Sequence, residues 1–104
     1  MNPEVEKSRH LRQAVLRVLH IHRQSGLEIG YTADELANLN VDSIFGKDPA
    51  AIGMALRDLL EDKLVSQVPD CEPPRYVLTG NGADFCLASF PWARVDPYTG
   101  KQRA

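Results

Sequence analysis

At 104 residues, with 43% apolar and 25% charged side chains, the chain is long enough to build one hydrophobic core and too short for two. Its net charge of −2 hides a division: residues 1–25 carry +3, residues 26–70 carry −6 and residues 71–104 carry +1, so the middle lacks the Lys and Arg excess by which duplex binders neutralise phosphates. No apolar run approaches the roughly 18 residues that cross a bilayer, and the opening MNPEVEKSRHLRQ is polar where a signal peptide is apolar, so a soluble cytoplasmic protein is expected, with no membrane partner.

The first helix is expected to open at Asn2 as N-cap, with Pro3 at the first helical position and Glu4 and Glu6 in the first turn, where the helix dipole favours negative charge. Ser25 and Gly26 mark its end. Leu11, Ala14, Val15, Val18 and Leu19 recur at spacings of three and four and form one apolar stripe. On one flank Arg9, Arg12 and Arg23 fall together with Leu16 among them, a basic strip with an apolar centre. That strip reads either as a solvated face with one stray leucine or as a dimer or partner contact centred on Leu16.

Leu27 to Tyr31 is short and apolar and suits a small edge strand. Thr32 then begins TADE, in which the Thr32 and Glu35 side chains can each satisfy the other's backbone donor, so a short helix is expected from about Ala33 to Leu39. It buries Leu36, Ala37 and Leu39. The following link holds Val41, Ile44 and Phe45, too apolar to be left in water, and Gly46 ends it.

Asp48 and Pro49 start the third helix, and Ile52, Ala55, Leu56, Leu59 and Leu60 keep helical spacing over residues 49–63. Two extended runs follow, Leu64 to Val68 and Arg75 to Thr79, separated by the turn-forming PDCEPP. Thr79 is placed to cap a last helix that buries Phe85, Leu87 and Cys86. Beyond residue 89 the segment FPWARVDPYTGKQRA has no helical or strand period but holds Phe90, Trp92 and Tyr98, and it is read as a tail (90–104) on a single domain (1–89). Its aromatic rings either cover the domain's own core beside the first helix or anchor a second subunit or another protein.

The string LLEDKLVSQ, followed by RYVLTGNGADF, resembles the segment of MarR-, PadR- and ArsR-like regulators in which a recognition helix runs into a returning β-wing. The likeness covers residues 32 to about 88 and is carried by Leu56, Leu59, Leu60, Leu64, Val65, Tyr76, Leu78, Thr79 and Gly82; Lys63 departs from it, standing where those proteins end the helix on glycine. The resemblance implies a mostly α fold with a small β-hairpin (α+β), a winged helix-turn-helix in the order helix, short strand, helix, helix, two-stranded wing, helix. In function it implies a transcriptional regulator that binds double-stranded DNA, as a homodimer, with helix 49–63 in the major groove and residues 69–75 as the wing tip.

On that reading Lys47, Ala50, Met54, Arg57 and Arg75 are the nucleic-acid contacts, but Asp58, Glu61, Asp70 and Glu72 would face phosphate with like charge. With Lys63 the surface offers roughly two to four phosphate contacts, so weak duplex binding is expected from a monomer. The alternative is the same fold used as a protein-interaction module, docking through Ala50 and Met54 or through Leu16, Phe90, Trp92 and Tyr98.

No catalytic constellation is legible, so neither an enzyme nor a cofactor is expected. His20 and His22 project about 200° apart on a helix and cannot share a metal ion, and His22 sits near the centre of the apolar stripe as a core-edge residue. Cys71 and Cys86 stand alone and are expected as free thiols.

Overall fold

The computed structural model describes residues 3–26, 29–39 and 48–95. Among the described residues, four helices and one two-stranded antiparallel sheet follow in the order α1 (Pro3–Gln24), α2 (Ala33–Asn38), α3 (Pro49–Glu61), β1 (Val65–Gln67), β2 (Tyr76–Leu78) and α4 (Gly80–Ser89), closed by a 3₁₀ turn at Pro91–Arg94. This is a mostly helical α+β arrangement. None of the described helices is long and apolar enough to cross a membrane. Asn2, Val41, Ile44, Phe45, Gly46, Lys47 and Tyr98, all invoked from the sequence, lie outside the described residues.

Helix α1 is the spine of the core. Leu11, Val15 and Leu19 are buried as their spacing requires, and α3 packs along them with Ile52, Ala55, Leu56 and Leu59. The buried arc is wider than the sequence pattern indicated, because Leu16 is 2% exposed and His20 is also buried. The expectation that Leu16 sits on the surface as a partner contact is therefore corrected. Leu16 projects about 100° around the helix from Val15, and that second face of α1 is covered by α4 and the 3₁₀ turn.

The closing turn packs against α1 and α4. Ala93 is fully buried, Phe90 and Trp92 pack against the core, and the two rings stack with centroids 4.9 Å apart. Trp92 also meets His20 edge-on at 5.8 Å, with the Arg17 guanidinium 6.0 Å over its ring. Phe90 and Trp92 thus spend much of their surface on their own fold. In α4 it is Cys86 that is buried, whereas Phe85 and Leu87, expected inside, are 42% and 41% exposed. Leu39, expected inside at the end of α2, is exposed as well.

The expected caps of α2 and α3 form. Thr32 accepts a hydrogen bond from the Glu35 backbone N–H (3.1 Å) while the Glu35 carboxylate accepts one from the Thr32 N–H (3.0 Å), and Asp48 accepts from the Ala50 N–H (3.0 Å). Helix α3 stops two residues short of its expected end. Leu64 N–H bonds back to the Leu59 carbonyl and Lys63 N–H to the Leu60 carbonyl, the paired pattern that closes a helix through one left-handed residue. That residue is Lys63, with φ +62°, so the position ordinarily given to glycine is held here by a side chain.

Thr79 ties the other end of the hairpin to this turn. Its hydroxyl donates to the Lys63 carbonyl (2.8 Å) and accepts from the Gly82 N–H (2.9 Å), and its own N–H donates to the Leu64 carbonyl (3.0 Å). Gly82 is required by this closeness, since a Cβ there would collide with the Leu64 carbonyl. Between the two anchors Val65 pairs with Leu78, Ser66 with Val77 and Gln67 with Tyr76, which buries Val65 and Leu78 on the same face.

Of the edge strand expected at Leu27 to Tyr31, residues 27 and 28 lie outside the described residues, and the remainder forms a single bridge at Tyr31. Tyr31 and Tyr76 exchange two hydrogen bonds, of 3.1 and 2.9 Å, but Gly30 has φ +74° and ends any extended run there.

Replacing Lys63 by glycine removes the cost of a left-handed L-residue, about 1–2 kcal/mol, against an entropy penalty of about 0.5–1 kcal/mol. Lys63→Gly should therefore stabilise the fold by about 0.5–1 kcal/mol. The urea midpoint is expected to rise with an unchanged m-value.

Candidate functional site

The outward face of α3 is set by the same periodicity that buries its inner face. With Ile52, Ala55, Leu56 and Leu59 inside, Ala50, Met54, Arg57 and Glu61 are left on the solvent side, and Met54 is 63% exposed. Gly53 lies among them, and a Cβ added there would meet nothing within 4 Å. The face is therefore smooth and largely apolar at its N-terminal half and acidic at its end. Of the expected nucleic-acid contacts, the structure brings Ala50, Met54 and Arg57 together here.

Arg57 makes no ion pair with a described residue. Asp58, read from the sequence as a repulsive neighbour, is half-buried and paired with Arg12 of α1 at 3.6 Å. At this exposure the pair contributes little to stability, on the order of 0–1 kcal/mol, but it brings a cation beside the α3 face. Lys7 and Ser8 of α1 line a groove of about 330 Å³ together with Ala50 and Met54. These α1 neighbours were not foreseen, because the pairing joins residues 46 positions apart.

Arg75 is placed quite differently from its expected role. Its Nε donates to the Ile29 carbonyl (2.9 Å), one Nη donates to the Gly30 carbonyl (3.0 Å), and the same Nη lies 2.8 Å from the Glu35 carboxylate. Nε and one Nη of Arg75 are thus engaged with backbone carbonyls and Glu35, which compete with the phosphate contact expected of it. The Thr32 N–H first, and the Arg75 guanidinium after it, hold the Glu35 carboxyl below its ordinary value. The hairpin loop then presents Asp70 and Glu72, both exposed, and within residues 65–78 no other basic side chain balances them.

The basic strip of α1 is also divided by the fold. Arg9 and Arg12 rim a groove of about 620 Å³ with Leu16, Leu59 and Leu64 in its floor and Phe85 and Phe90 in its wall. Arg9 is paired with Glu6 at 3.2 Å. Arg23 is turned to the hairpin, where it donates to the Leu78 carbonyl at 3.3 Å.

Two further groups bear on chemistry. Burial pushes the Cys86 thiol up to about 11, so it is protonated and unreactive at neutral pH, and Cys71 and Cys86 are both free. Among the described residues no group of three or more His, Cys, Asp or Glu side chains is arranged to hold a metal ion. Comparison with known protein families, with curated proteins and with solved structures finds no match to this chain.

Arg75→Met keeps the aliphatic stem and removes the guanidinium, leaving the Ile29 and Gly30 carbonyls without their donor. A loss of about 1–3 kcal/mol in unfolding free energy is expected, measured by chemical denaturation. A variant as stable as the parent would show that these bonds contribute nothing.

Proposed function

We propose that the chain is a winged helix-turn-helix domain that presents α3 to the major groove of duplex DNA, in the manner of a transcriptional regulator. The observation that carries this reading is the exposure of the N-terminal half of α3, with Ala50, Met54 and Arg57 projecting from a helix whose opposite face is locked into the core. The order of elements supports it, as does the bridge that sets Tyr31 beside the hairpin strand. In this reading Arg57 reads a base edge or a phosphate and Ala50 and Met54 offer contact to a thymine methyl. Phosphate contacts come from α1, where Lys7 and Arg12 flank the α3 face, rather than from the hairpin tip.

Such an interface is weak and salt-dependent, because few cations contribute. Anisotropy titration of a labelled duplex at about 50 mM salt is expected to give measurable binding that fades by about 200 mM. Arg57→Ala should weaken it at least fivefold and lower the salt slope by about 1. Unchanged affinity in that variant, or a flat titration of the parent, overturns the reading.

The acidic hairpin tip and the engagement of Arg75 favour a second reading, the same fold as a protein-docking module centred on Met54. Met54→Asp would then abolish partner capture without lowering stability. Capture that survives the substitution excludes it.

A further inference from the structure

His22 lies at the point where three parts of the fold meet. The residue is 5% exposed, its Nε2 accepts a hydrogen bond from the Gly30 N–H at 3.2 Å, and the Tyr31 ring tilts over it at 4.8 Å. Because Nε2 is the acceptor, the neutral ring carries its proton on Nδ1, which has no hydrogen-bond partner among the described residues. The ring is thus held in its uncharged form by geometry.

Among the described residues, the charged and titratable groups nearest it come from α1, the connector, β2 with the residue ahead of it, and α2. On α1 itself Arg23 is the next residue, engaged with the Leu78 carbonyl. From the connector comes Tyr31. Ahead of β2 stands Arg75, whose guanidinium holds the Ile29 and Gly30 carbonyls and whose positive charge acts on the imidazole, and Tyr76 follows it on the bridge to Tyr31. From α2 comes Glu35, whose carboxylate is occupied by Arg75 and by the Thr32 N–H. An imidazolium at this position would meet the positive charge of Arg75, while the Glu35 carboxylate is already committed to that guanidinium.

We propose that His22 is a pH-operated latch: a proton from solvent taken up on Nε2 displaces the Gly30 N–H and releases the Ile29–Thr32 connector, with Arg75, from the end of α1. The lone pair that accepted the Gly30 hydrogen bond becomes the new N–H bond, so the two cannot coexist. Loss of that bond leaves the connector fastened to the hairpin, through Tyr31 and Tyr76, and to α2, which Thr32 caps, but no longer to the His22 ring of α1. The change is therefore transmitted to the hairpin and to α2 together. Nothing in this step depends on the ligand that α3 binds.

The direction follows from the environment. Burial, and after it the Arg75 charge, lower the His22 pKa from its ordinary 6.5. The unfolded chain therefore takes up this proton first, so the stabilisation by the neutral ring is complete above 6.5 and is lost as the pH falls below 6.5 toward the lowered folded value.

The test is NMR on the intact chain, following the three histidine rings and the Gly30 amide in parallel. His22 should titrate below 6.5, and the Gly30 exchange protection factor should fall about tenfold for each pH unit as the pH drops from 6.5 to that midpoint, levelling off below it. His22→Gln supplies a carbonyl acceptor that does not titrate, and it should keep Gly30 protected with no pH dependence over the same range. A His22 midpoint at or above 6.5, Gly30 protection that does not follow His22 protonation, or a His22→Gln chain with the parent's pH dependence each overturns the latch. If His22→Gln does not fold, the two measurements on the parent decide it alone.

Discussion

The arrangement of this chain depends on the crossing of the Gly30–Tyr31 backbone over the end of α1. Gly30 gives its N–H to His22, its carbonyl to Arg75 and its empty Cβ position to the Tyr76 carbonyl, which would lie 2.7 Å from any side chain placed there. One residue on, Tyr31 is bridged to Tyr76, and one further Thr32 begins α2. Three consecutive residues, Gly30 to Thr32, thus connect the first helix, the hairpin and the second helix. Only glycine satisfies both the left-handed φ of +74° and the close approach.

A second junction of the same kind holds the hairpin to the last two long helices. Lys63 turns the chain out of α3, and Thr79 returns it into α4 while bonding to the carbonyl of that turn. Between the two junctions the strands are only three residues each, too short to be stable by their own pairing. The hairpin stands because both its ends are fastened to helices. Its loop, projecting past the fastenings, carries acidic and proline residues that take no part in the core.

What could be read from the sequence was what depends on neighbours along the chain. The TADE cap, the Asp48-Pro49 start, the spacing of Ile52, Ala55, Leu56 and Leu59, and the turn-rich PDCEPP between two extended runs are local patterns, and the structure holds each of them. What could not be read was whatever depends on distant partners. Arg75 meets carbonyls 45 and 46 residues away, so its local context suggested an exposed wing cation. Leu16 failed for a related reason: a single stripe on α1 accounts for one packing partner, but α4 and the closing turn supply a second, and no periodicity within α1 announces it. The site inherits this split, with the α3 face legible from its own spacing and its α1 flank legible only once Arg12 is seen against Asp58.

The buried Cys86 has a use that follows from its isolation. It is fully enclosed, on the helix that covers the second face of α1, and its thiol is protonated at neutral pH. A thiol reagent therefore reaches it only when α4 lifts away, whereas Cys71 in the hairpin loop is partly exposed in the folded chain. The molecule thus carries its own clock for the opening of its last helix, with the loop thiol as the reference against which that clock is read.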